Sequence, residues 1–135
     1  MPAAKAWSLG RPDPCGEDKV SEDLYPKATR EMVEQRHRLA PEIDAAFRTF
    51  SERVFKDGAL PTKTKQLIAV AVAHVTQCPY CIQGHTKAAL RAGASREELM
   101  EAVWVAAEMR AGGALAHSLL MLDTAEKRER KPSTS

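Results

Sequence analysis

Cysteine is sparse in this 135-residue chain: there are three, and only Cys78 and Cys81 lie close together. That number cannot staple a small secreted domain, and a close pair in a reducing compartment points instead to catalysis or metal binding. Cys15, in a stretch rich in Pro and Gly, reads as incidental. Long apolar runs are missing too. The longest, Leu67 to Ala73, falls far short of the roughly 20 residues that a membrane-spanning helix needs, and Met1 to Gly10 lacks the basic-then-apolar pattern of a signal peptide. The expected compartment is the cytoplasm, with no membrane partner. Charge of one sign is not in excess: the formal net charge is +2, and acidic residues are interspersed with the basic ones. Without a basic stripe there is no case for nucleic-acid binding. The one basic run, Lys127-Arg-Glu-Arg-Lys131, suits a helix end, where cations complement the helix dipole. Strand alternation, internal repeats and low-complexity segments are also absent, the short polar C-terminus from Pro132 to Ser135 aside.

What is present is helical rhythm. Residues 1–21 carry Pro2, Gly10, Pro12, Pro14 and Gly16 without apolar periodicity, so an irregular N-terminal arm is expected. From Leu24, the residues Ala28, Met32 and Leu39 keep a helical spacing up to Pro41, which opens a second helix striped by Ile43, Phe47, Phe50 and Val54 and ending before Gly58. Pro61 to Thr76 is apolar all round at its centre and too Ala-rich for a strand, which predicts a buried central helix. The next helix runs from about Pro79 to Ala92 and stops at Gly93; Ser95-Arg-Glu-Glu98 then has the form of a capping box. That helix is expected to bury Leu99, Val103, Trp104 and Ala107, and a last one, after Gly112-Gly113, carries Leu115, Leu119 and Leu122. The fold class is all-α, about six helices, with a domain over residues 22–127 and a polar tail over 128–135.

The informative motif is Cys78-Pro-Tyr-Cys81, followed by His85. Residues three or four apart on a helix are neighbours, so Cys81 and His85 share a face, and Cys78 at the first turn can bring its sulfur to Cys81. The partial positive charge of a helix N-terminus favours thiolate, the nucleophilic form. Histidine is the side chain suited to proton exchange near neutral pH, so His85 can exchange a proton with a thiol or a leaving oxygen. This spacing assigns Cys81 as the attacking sulfur, Cys78 as the resolving one and His85 as the acid/base.

Lys65-Gln-Leu-Ile-Ala-Val-Ala-Val-Ala73, Cys78-Pro-Tyr-Cys-Ile82, His85-Thr-Lys-Ala-Ala89 and Ala92-Gly-Ala-Ser95 together resemble the core of the alkylhydroperoxidase D-like branch of the carboxymuconolactone decarboxylase superfamily, over roughly residues 40–123. The resemblance implies an all-helical subunit that assembles into a trimer or hexamer. It also implies peroxidase or disulfide-reductase chemistry on a hydroperoxide or disulfide substrate, with a lipoyl or thioredoxin-like electron donor and no cofactor. Its second cysteine attacks, its first resolves and its histidine joins a proton relay, which correspond here to Cys81, Cys78 and His85. Two positions depart from it. Gln66 stands where the relay usually has a glutamate, and an amide can orient a histidine but cannot accept a proton; Glu101 and Glu108 are the carboxylates considered as substitutes. Tyr80 stands where some relatives have another histidine.

Other readings remain beside this one. His74, Cys78, Cys81 and His85 have a spacing that zinc tolerates, although a chain with this much apolar helix needs no structural metal. His117 approaches from the last helix as a possible pocket residue, and like His74 it equally suits a packed interior or interface position. The dithiol would also serve as a redox switch of an oligomer, or be a bystander in a lactone decarboxylase-like enzyme.

Overall fold

The computed structural model describes residues 25–130, and the expected arm, Cys15 and the last residues of the tail lie outside them. The described residues form five helices and no strand. They are α1 (Arg30–Leu39), α2 (Pro41–Phe55), α3 (Thr62–Thr76), α4 (Pro79–Arg91) and α5 (Arg96–Glu129).

Two boundaries differ from those read in the sequence. Residues 25–29 are not helical, and α1 starts after Thr29, whose hydroxyl accepts the Met32 N–H; a side-chain cap displaced the apolar rhythm as the start signal. Gly112-Gly113 does not divide a fifth helix from a sixth. The helix runs through both glycines as one 34-residue rod, because each keeps helical backbone and the strong formers on either side outweigh a cost of about 1 kcal/mol per glycine.

Elsewhere the expected chemistry is in place. Ser95 and Glu98 close the capping box in both directions, and Gly93 takes the left-handed conformation, φ 86°, that ends α4. Ala94 N–H then reaches back to Ala89 O. Lys63 Nζ meets Glu98 Oε1 at 2.6 Å, tying the first turn of α3 to that of α5, while Arg110 Nη1 donates to Val75 O near the other end of α3.

α3 is the centre, packed on α4 and α5. Its buried residues are Gln66, Val70 and Ala73, one face of the helix; Ile68, Val72 and Val75 are exposed, contrary to the expectation of burial all round. α4 and α5 pack closely against α3, and α2 touches it only at one end, enough to cover that one face. The stripe of α2 is likewise open, with Phe47 66% exposed, as are Trp104 at 65% and Leu115 at 75% on α5. Ala107, Leu119 and Leu122 are exposed too, and Leu99 and Val103 are half-buried.

Candidate functional site

The turn from α3 to α4 is built by Gln77. It holds φ 54°, ψ 45°, the left-handed region that side chains seldom occupy, and its N–H and that of Cys78 both close on Ala73 O. That reversal delivers Cys78 to the N-cap of α4, with Pro79 in the first turn, where its missing N–H costs nothing.

Cys78 therefore takes the place that Ser or Asp usually fills: its sulfur accepts the Cys81 N–H at 3.3 Å. Both cysteines are free thiols. A hydrogen bond from the Cys81 thiol, with others from the backbone of Cys81 and Tyr80, holds Cys78 below the ordinary thiol range. Donating that bond pushes Cys81 up, helped by burial and by the charge on Cys78. Of the pair, Cys78, the sulfur expected to resolve, is thus the thiol that ionises more readily. Cys81 gains the charge when its own proton crosses to Cys78 or leaves for another base.

His85 is such a base. It is half-buried on α4 and lines, with Cys81, two adjoining cavities. Its Nδ1 lies 2.8 Å from Gln66 Oε1. An amide oxygen only accepts, so Nδ1 carries the proton and Nε2 is left as the acceptor. Gln66, 7% exposed on α3, thereby fixes one tautomer and one ring orientation. Phe55 lies against the same ring, centroid to centroid 5.1 Å. It is held there because Lys65 Nζ bonds the carbonyls of Val54 and Lys56, and the Thr62 hydroxyl bonds Phe55 O.

The two cavities differ in character. One, of about 460 Å³, runs between α2 and α3 over Val54, Phe55, Ile68, Ala69 and Val72 to Cys81 and His85. The other, of about 450 Å³, is polar on one side, with Ser51, Glu52 and Gln66 facing Tyr80, Cys81 and His85. Cys81 and His85 line both cavities.

The remaining expected residues are placed as follows. Tyr80 lines the polar cavity, but its hydroxyl donates to Pro26 O at 2.7 Å and its ring meets Tyr25 edge-on. It fastens the chain before α1 to the cysteine helix. His74 turns Nδ1 onto Val70 O at 2.7 Å and borders a separate cavity with Thr86, Arg96 and Leu99. Among the described residues no group of three or more His, Cys, Asp or Glu is arranged to hold a metal ion, so the set spanning His74 to His85 is not assembled. His117, Glu101 and Glu108 are exposed on α5 and line neither cavity at Cys81. Phe55, Ser51 and Glu52 belong to the site and were missed, since nothing in the apolar stripe of α2 marks them as neighbours of a cysteine on α4.

A family model described as "Carboxymuconolactone decarboxylase family" matches residues 41–124. "Uncharacterized protein 4 in cox locus" of Paracoccus denitrificans is 61% identical over 93 residues, 69% of this chain and 83% of its own length. A Methanobacterium thermoautotrophicum protein of solved structure is 37% identical, with a TM-score of 0.59 over 62% of this chain and 94% of that one. A carboxymuconolactone decarboxylase family protein from Legionella pneumophila, crystallised in its apo form, is 35% identical, with a TM-score of 0.57 over 72% of this chain and 87% of that one.

Proposed function

Since the chain belongs to the carboxymuconolactone decarboxylase family, we propose that it works within it as a thiol-dependent peroxidase of the alkylhydroperoxidase D-like kind. The observation that carries this reading is the convergence on one cavity of Cys81 and of His85, whose tautomer Gln66 fixes. In the first step Cys81 loses its proton to His85 Nε2 and the thiolate attacks the outer oxygen of a hydroperoxide. A sulfenic acid forms, the O–O bond breaks, and His85 returns the proton to the departing alkoxide. In the second step Cys78 attacks the sulfenic sulfur, hydroxide leaves as water with the remaining thiol proton, and the Cys78–Cys81 disulfide closes. Two thiols and one hydroperoxide give a disulfide, an alcohol and water. A dithiol donor, a lipoyl or thioredoxin-like protein of the cytoplasm, restores the pair. The apolar trough beside Cys81 suits the carbon skeleton of an organic hydroperoxide.

The reduced protein treated with one equivalent of cumene hydroperoxide should lose two hydrogens and yield a linked Cys78–Cys81 peptide. Cys78→Ser should instead accumulate a sulfenic acid on Cys81 that dimedone traps. Trapping on Cys78 in Cys81→Ser, at the wild-type rate of thiol loss, would reverse the two roles. One observation favours a second reading, disulfide reduction: the N-capping Cys78 is the thiol held below its ordinary range, and it would be the sulfur that opens a partner's disulfide. In that case Cys81→Ser would hold a mixed disulfide at Cys78.

A further inference from the structure

His85 has an orienting partner that bears no charge. When it takes the Cys81 proton it becomes an imidazolium, and Gln66 offers a dipole where a carboxylate would offer a counter-charge. Among the described residues, Glu52, on α2, is the one acidic residue lining either cavity that Cys81 and His85 share. We infer that Glu52 is a positioning residue for the proton on His85, its carboxylate supplying across the polar cavity the negative charge that Gln66 cannot. This deepens the peroxidase reading and rests on it for its consequence, though not for its test.

The placement follows from helix geometry. Glu52 and Phe55 are three apart and so share a face of α2, and Phe55 lies directly against the His85 ring. That end of α2 is pinned to α3 through Lys65 and Thr62, so its last turn keeps its orientation. The carboxylate of Glu52 has no ion pair or side-chain hydrogen bond among the described residues, unlike Glu34, Asp44, Glu98, Asp123 and Glu126, each of which meets a cation.

The other charged or titratable groups around His85 set the sign. Lys65 on α3 lines the apolar cavity and opposes an imidazolium. Cys81 and Tyr80 on α4 face the polar cavity, with Cys78 beyond; α5 contributes no residue to either cavity. Glu52 thus offsets Lys65 and keeps the proton on His85 until the O–O bond breaks. Glu101 and Glu108, exposed on α5 away from both cavities, cannot do so.

The test is a proton NMR titration of the histidine ring resonances in the Cys78→Ser, Cys81→Ser double variant, with and without Glu52→Gln. It is read without any redox chemistry. Loss of a nearby negative charge disfavours the charged form of histidine, so the His85 midpoint should move to lower pH by about half a unit. His37, His74 and His117 should not move. In the wild-type cysteine background, Glu52→Gln should slow hydroperoxide turnover roughly threefold, less than the ~10²-fold or more expected for loss of a direct acid–base group. Adding Gln66→Glu should restore the rate by placing a carboxylate on Nδ1 itself. An unmoved His85 midpoint would overturn the inference. A moved midpoint in a protein without turnover in any variant would uphold the charge coupling while removing the peroxidase reading.

Discussion

The chemistry turns on which proton is held where, and four residues decide it. Cys78 caps α4 and is held below the ordinary thiol range, Cys81 is pushed above it, and His85 presents a bare Nε2 because Gln66 accepts from its other nitrogen. Removing the thiol donor should therefore raise Cys78 toward the ordinary thiol range. The thiolate absorbance near 240 nm, followed against pH in Cys81→Ala, should rise at higher pH than in the wild type. Gln66→Glu should raise the thiolate-dependent rate near neutral pH, since a carboxylate stabilises the imidazolium that an amide merely orients. An unchanged or lower rate would show that orientation alone is sufficient. The motif Cys78-x-x-Cys81-x3-His85 was legible in sequence because helix spacing fixes which side chains meet. Phe55 and Glu52 were not, because they reach the site from another helix, through a junction held by Lys65 and backbone carbonyls that no local pattern encodes.

At the scale of elements, most starts and stops were written locally. The Ser95 capping box, Gly93 and the proline openings of α2 and α4 each act within a turn or two, and the helices obey them. Gly112-Gly113 misled because a glycine pair ends a helix only when the backbone takes the left-handed turn, and here it does not. A Cβ at Gly113 would meet nothing within 4 Å. Gly113→Ala should accordingly stabilise the protein by about 0.5–1 kcal/mol, read as a rise in thermal midpoint; an unchanged or lower midpoint would mean that something packs on that face. The joint of α1 and α2 is electrostatic. Burial alone would raise Asp44, but hydrogen bonds from His37 and Arg48 and the charges of Arg48 and Arg36 outweigh it and hold Asp44 below its ordinary value. The joint is therefore at full strength above the usual carboxylate range and weakens as pH falls through the lowered value. Asp44→Asn should speed hydrogen exchange in α1 while leaving α3 protected.

For the molecule as a whole, fold class was legible and the extent of burial was not. Helical periodicity distinguishes an apolar face from a polar one, but it does not say whether the chain itself supplies the cover. Among the described residues the buried hydrophobic ones are Val70, Ala73, Ala89, Ala94 and Ala106, whereas Phe47, Phe50, Trp104, Leu115 and Leu119 stay open. Such a surface fits the trimer or hexamer that the resemblance implies, and we propose that the chain self-associates through it. Size-exclusion chromatography with light scattering should give a mass several times 14.8 kDa, and Leu115→Glu with Leu119→Glu should lower it without loss of helical circular dichroism. The central claim, catalysis by the dithiol, is tested most directly by steady-state reduction of tert-butyl hydroperoxide with dihydrolipoamide as donor, comparing wild type with Cys81→Ser and His85→Ala. The account predicts turnover in the wild type, none in Cys81→Ser, and a fall of roughly 10²-fold or more in His85→Ala. Wild-type turnover no faster than that of Cys81→Ser would contradict it.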